Sequence, residues 1–172
     1  MEKQIWTIGH STKLLNEFLE LLHTHGIELL ADVRRFPGSR KHPQFLKGAM
    51  EQSLPENGIA YRHFPELGGR RRPENNGRNS IWRNKAFKGD ADYMATDYFQ
   101  EGLEQLVEVT AEKPTAMMCS EVLWWRCHRS LISDLLKSKG YTVNHIMSPV
   151  KIQEHPFTSA ARVVEGKLSY DE

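Results

Sequence analysis

Cysteine is scarce in this sequence: two residues in 172, Cys119 and Cys127. Two thiols in a chain of this length do not make a disulfide framework, and a reducing compartment is the default setting for them. Long apolar runs are missing too. No stretch approaches the roughly 18 residues of a membrane span, so no membrane segment is expected. The opening MEKQIWTIGH moves from polar residues directly into a strand-like run, so no signal peptide is expected and the cytoplasm is the expected address. No internal repeat and no domain boundary is visible, which leaves one α/β domain over residues 1–172. A hydrophobic share of 39% and a charged share of 26% are those of a soluble globular chain with a sizeable core.

Net charge is also low, +1, but it is unevenly spread. Between Arg34 and Lys47 stand five basic residues (Arg34, Arg35, Arg40, Lys41, Lys47) and no acid. Between Arg70 and Lys88 stand seven, among them Arg83, against the single acid Glu74. These are either two solvated loops or a basic mouth for an anionic ligand, because a focused field matters more than the total charge.

Apolar and β-branched runs at 5–8, 27–33, 59–64, 115–119 and 141–147 predict five strands. Leu14, Leu15, Phe18, Leu19 and Leu22 recur at helical spacing, with Ser11 or Thr12 as the expected cap. A short helix is expected within 44–53, a long one over 91–111 with Gly102 as its weak point, and a third from about 127 to Gly140. Residues 70–90 read as one long, basic, ordered loop, and 150–172 as a weakly patterned tail. Alternating strands and helices imply a mostly parallel sheet covered on both faces. Ligands of such sheets bind beyond the carboxyl ends of the strands. There the sequence places Gly9-His10-Ser11, Asp32-Val33-Arg34, the segment from His63 to Gly68-Gly69, and Cys119-Ser120-Glu121, with both basic loops leaving from the same edge.

The segments TIGHS, ADVRRFPGS, LGGRRRP, WRNKAFKGDADYM and MCSEVLWWRCHRSLI together resemble the domain-of-unknown-function family 488, from Thr7 to about Met147. Members of that family commonly carry Ala where this chain has Ser120, a small-for-small exchange. The resemblance implies an α/β domain of bacterial and archaeal cytoplasm with no assigned reaction, so the chemistry has to come from the residues.

Several constellations compete at that edge. Cys119, Cys127 and His128, completed by His10, His42 or His63, would make a zinc shell, but Cys-x7-Cys lacks the tight spacing of structural zinc sites. The spacing is not Cys-x-x-Cys either, so a dithiol redox pair is not expected from it. Cys127, beside His128 and Arg129 at a helix start, has the surroundings that lower a thiol pKa. Cys-x5-Arg of a phosphatase cradle fails by one residue, and a small buried hydrophobe is the plain alternative for Cys119. Arg129 and the start of the first helix at His10-Ser11, joined by Arg34, suit phosphate or carboxylate. The alternative for Arg129 is an internal salt bridge to Glu121 or Asp32. Asp32 and Glu121, each after an apolar strand, are the candidate base and acid, with His10 as proton carrier. Of Trp124 and Trp125 one is expected to pack and the other, Trp125, to meet ligand together with Trp82. Gly68-Gly69 and Arg70 are further ligand contacts, by close backbone approach and by charge.

The expected function is an enzyme of hydrolase or group-transfer type. Its substrate is an anionic small molecule, nucleotide or nucleic acid, and the sequence requires no cofactor. The alternatives are a non-catalytic nucleic-acid-binding module, and a metal-dependent enzyme or thiol redox protein using Cys119, Cys127 and His128. No protein partner is indicated.

Overall fold

The computed structural model describes residues 3–38, 41–74 and 77–171. Arg40 of the first basic run and the Asn75-Asn76 pair of the second lie outside the described residues. Strands β1 (Gln4–Gly9), β2 (Leu29–Asp32), β3 (Ala60–His63), β4 (Thr115–Cys119) and β5 (Thr142–Ser148) form a parallel sheet in the order β3-β2-β4-β1-β5. A sixth strand, β6 (Lys151–Glu154), runs antiparallel along the β5 edge. The chain is thus α/β, a mostly parallel sheet with helices on both faces.

Two apolar layers explain why β2 and β4 are buried along their whole length. On one face, Phe18, Leu21 and Leu22 of α1 (Leu15–Thr24) and Met50 and Leu54 of α2 (Lys47–Glu56) pack on Ile8, Leu30, Ala116 and Met118. On the other, α3 (Lys85–Tyr93), α4 (Asp97–Glu112) and α5 (Arg129–Ser138) set Ala91, Phe99, Leu103, Leu106, Leu131 and Leu136 on Ile5, Ala31 and Met117. Each such fully buried aliphatic or Phe side chain contributes about 1.5–3 kcal/mol.

The connections set the site. β2 leads through α2 to β3 on one face, and β4 leads through α5 to β5 on the other, although Asp32 and Met118 are register partners. The loops leaving these neighbouring strand ends therefore part toward opposite faces, which opens a crevice at the carboxyl edge.

Four local expectations change. The first helix begins at Leu15, not after Ser11. Ser11 has φ 47° and gives its N–H to the Ser120 carbonyl (2.9 Å), so residues 10–13 form a turn. The expected helix over 91–111 is two helices, split just before Thr96, whose hydroxyl caps α4 through the Phe99 N–H. Gly102 is not the break; a Cβ there would lie 2.6 Å from that of Glu66, so it serves close packing. The loop expected over 70–90 ends at Asn84, which caps α3. Asp90 and Asp92 of α3 tie that loop down by accepting from the Arg71 and Glu74 backbone N–H groups (2.9 and 2.7 Å). Finally, the tail is ordered as β6 and a hairpin of β7 (Arg162–Val164) and β8 (Lys167–Ser169). Its anchors are polar side chains, which hydrophobic periodicity does not register.

Candidate functional site

A cleft of about 300 Å³ opens at the carboxyl ends of β2 and β4. Its floor holds both cysteines. Cys119 is the last residue of β4, and Cys127 follows a 3-10 turn over Trp124–Arg126 that folds the chain back over the strand end. Their Sγ atoms lie 2.7 Å apart. The eight-residue step between them in sequence does not keep them apart in space, so a dithiol pair, not expected from the spacing, is present.

The two thiols are not equivalent. Burial and the hydrogen bond to Cys127 push the Cys119 thiol well above its usual range. Burial also works against ionising Cys127, but it is outweighed by the Cys119 hydrogen bond, the Arg129 charge and the Arg129 backbone N–H at the start of α5, which hold this thiol below its usual value. Cys127 is therefore the group that ionises first. His128 stands beside it with Nδ1 3.4 Å from the sulfur, while Nε2–H donates to the Val33 carbonyl (2.8 Å). That outer bond leaves Nδ1 as the lone-pair nitrogen facing the thiol. Gly69 makes the arrangement possible: a Cβ there would sit 2.8 Å from the ring carbon Cγ.

Arg129 lies behind the pair, 1% exposed. Its Nη2 donates to the Val122 carbonyl (2.9 Å), and its Nε and Nη1 meet no protein acceptor. The internal salt bridge that the sequence allowed does not form, because Asp32 is taken by Arg34 and the Glu121 carboxylate accepts from the Leu123 N–H. A buried cation without a carboxylate is costly, and an anion on its neighbour, the Cys127 thiolate, offsets part of that cost.

The cleft walls are basic: Arg34, Arg35, Arg70 and Arg126 border it, against Asp90 and Glu121. Phe36 stands at the mouth 62% exposed, under the Arg35 guanidinium (4.9 Å to the ring centre). Burial raises the Asp90 carboxyl, and the Arg71 N–H, His128 and Arg71 only moderate that rise. Asp90, its carboxyl above the usual range, stands at the edge of the thiol site.

The other sequence candidates divide. Asp32, Arg34 and His10 form one buried network beside the cleft. Arg34 Nε and Nη2 donate to Asp32 (2.8 and 2.7 Å), and the Tyr61 hydroxyl donates to the same carboxylate. Arg34 Nη1 lies 3.3 Å from His10 Nε2, and His10 Nδ1 lies 2.9 Å from the Ser11 carbonyl, so this ring is fixed as a neutral Nδ1–H tautomer. Burial lowers its pKa to about 4. Asp32 and His10 do not border the cleft; Arg34 does, but with its donors turned inward. Gly68 packs on the Arg35 backbone. Trp124 is buried and stacked on His145, while Trp125 is exposed. Trp82 packs against Phe87 and Tyr170 away from the cleft, and Ser11, Arg83 and Trp125 do not border it either. Among the described residues no group of three or more His, Cys, Asp or Glu is gathered to hold a metal ion. None of their helices is long and apolar enough to cross a membrane.

Sequence reasoning passed over Asp90, Arg126 and Phe36, and named Arg35 only as one charge of the first basic run. The acids of KGDADYM follow an arginine-rich loop, and that charge complementarity was the available signal for Asp90. An aromatic inside a basic run, RRFPG, was the signal for Phe36.

A family model described as Domain of unknown function DUF488 matches residues 14–136, a span that includes every residue bordering the cleft. No curated protein and no solved structure matches the chain.

Proposed function

The chain belongs to DUF488, a family defined by a domain of unknown function, and we propose that it is a thiol-dependent enzyme of hydrolase or group-transfer type acting on an anionic substrate. The observation that carries this reading is Cys127 on the floor of a basic cleft, facing the free Nδ1 of His128 with the uncompensated Arg129 behind it. In the reaction, His128 accepts the Cys127 proton and the thiolate attacks an electrophilic acyl or phosphoryl centre. The bond from sulfur to that centre forms as the bond to the leaving group breaks. His128, now carrying that proton, passes it to the leaving group. Water then releases the transferred group from sulfur. Arg35, Arg70 and Arg126 attract and hold the anion. The exposed Phe36 beside Arg35 favours a ligand with a flat ring next to its charge, as in a nucleotide.

The test is turnover of a panel of nucleotides, aryl phosphates and anionic thioesters by wild type, Cys127→Ser and His128→Gln. Turnover that disappears in Cys127→Ser, while nucleotide binding persists, supports the reading. A Cys127→Ser variant with wild-type turnover overturns it. Binding with steep salt dependence and no turnover by the wild type would replace it with the non-catalytic nucleic-acid-binding module.

A further inference from the structure

We propose that Cys127 and Cys119 are a peroxide-reactive dithiol, which a hydroperoxide closes into an intramolecular disulfide at the end of β4. The proposal rests on the reading of Cys127 as the reactive thiol and adds a second chemistry to the same floor. The juxtaposition that carries it is the pair of Sγ atoms 2.7 Å apart, both bordering a cleft wide enough for a small peroxide. The chain has no other cysteine, so a sulfenic acid formed at one of these positions has a single internal partner.

The roles divide by position. Cys127 has the His128 nitrogen at 3.4 Å and the unpaired Arg129 behind it, the surroundings of an attacking thiolate. Cys119 lies deeper, with its Sγ also 3.5 Å from the Glu121 carbonyl oxygen, and is the resolving group. In the first step the Cys127 thiolate attacks a peroxide oxygen. An S–O bond forms, the O–O bond breaks, and the departing oxygen leaves as water (or alcohol) with a proton from solvent. Sulfur loses two electrons and the peroxide gains them. In the second step Cys119 attacks the sulfenic sulfur: the S–S bond forms, the S–O bond breaks, and the hydroxyl leaves as water with the Cys119 proton. Two thiols and one peroxide thus give one disulfide and two waters. The product no longer carries the nucleophile, so oxidation switches off the proposed turnover until a thiol reductant restores it.

Full-length protein treated with hydrogen peroxide, then examined by intact mass and by thiol alkylation, tests this. The expected result is a monomer lighter by two hydrogen atoms, with both thiols protected together and both regained with dithiothreitol. Cys119→Ser should form a sulfenic acid on Cys127 that dimedone traps and that, without dimedone, excess peroxide carries on to sulfinic acid. Cys127→Ser should leave Cys119 reduced. Circular dichroism of each variant establishes that it is folded. Wild-type thiols that stay free, a disulfide between two chains, or Cys119 oxidised as fast in Cys127→Ser as in wild type would each overturn the proposal. The two readings fail separately. A disulfide that forms while turnover survives Cys127→Ser supports this proposal and sinks the enzymatic one. Turnover lost in Cys127→Ser, with wild-type thiols inert to peroxide, does the reverse.

Discussion

Arg129 and Asp134 lie on the same helix, are both buried, carry opposite charges, and do not pair with each other. Their surroundings differ sharply. Asp134 is saturated: His155 Nε2 (2.7 Å), the Thr158 N–H (2.9 Å), the Thr158 hydroxyl (2.6 Å) and the Tyr170 hydroxyl (2.6 Å) all point at its carboxylate. The chain continues inward from His155 to His145 (2.8 Å) and on to the Thr7 hydroxyl, closed beneath the stacked ring of Trp124. Arg129 has one carbonyl and two unmet nitrogens. A buried carboxylate with every lone pair answered is a fastener, here holding the C-terminal segment onto α5. A buried guanidinium left unanswered by the fold is held for a charge that appears during function.

The largest effect should come from breaking the closed side. Asp134→Ala strands four donors and frees the tail, and should cost about 3–5 kcal/mol of unfolding free energy, read as a shift in the urea midpoint. Cys127 alkylation in whatever fraction stays folded should be unchanged. A loss under about 1 kcal/mol would mean that the Asp134 network is incidental to the fold.

Acid separates the two regions next. His10 in the buried network beside the cleft and His145 in the closed chain are both held neutral by burial, with pKa values lowered to about 4 and about 2. An unfolded imidazole takes up its proton near pH 6.5. Below that pH the unfolded state binds protons that the folded state refuses, so stability is full above about 6.5 and falls as pH falls. Each ring contributes up to about 1.4 kcal/mol per pH unit, on the order of 4 kcal/mol for the pair by pH 5. The His10 share stops growing near pH 4, where the folded ring itself protonates, whereas the His145 share continues. Urea midpoints of wild type and His10→Gln between pH 7 and 4 check this. The acid slope of the variant should be shallower by one proton, and an unchanged slope would mean that His10 is charged in the fold.

The same contrast explains what could be read from the sequence. The strands, the helical stripe of Phe18 and Leu22, and the convergence of Asp32, Arg34, Cys119 and Glu121 at one sheet edge follow from period-2 and period-3.6 patterns and from the crossover rule. Which of those groups would face solvent does not. Asp32 and Arg34 are two residues apart on an ordinary strand end, and only the placement of Tyr61, Phe45 and Met50 turns them into an inward pair. The Cys119–Cys127 contact depends on a 3-10 turn at Trp124–Arg126, too short to leave a periodic signal. The tail was unreadable because it is held by Asp134, Thr158 and Tyr170 while Val163 and Val164 stay exposed. Hydrophobic periodicity sees neither arrangement.

The smallest expected change in stability, and the sharpest test of the comparison, is Arg129→Met. Methionine keeps the length and apolar stem of the side chain and removes the two nitrogens that have no partner. The one lost bond ends on the carbonyl of Val122, an exposed residue whose carbonyl can turn to water. Replacing a buried charge by an apolar side chain of similar length is often neutral or stabilising, so the urea midpoint should hold or rise by about 1 kcal/mol. The thiol should respond in the opposite sense: without the guanidinium, the Cys127 pKa climbs back toward that of an ordinary thiol and alkylation at neutral pH slows. A loss of more than about 3 kcal/mol would place Arg129 with Asp134 among the fasteners. Unchanged alkylation would remove the reason for holding a cation there at all. Preserved stability with a slower thiol is the outcome that fits a helix whose first turn serves the cleft and whose middle holds the fold.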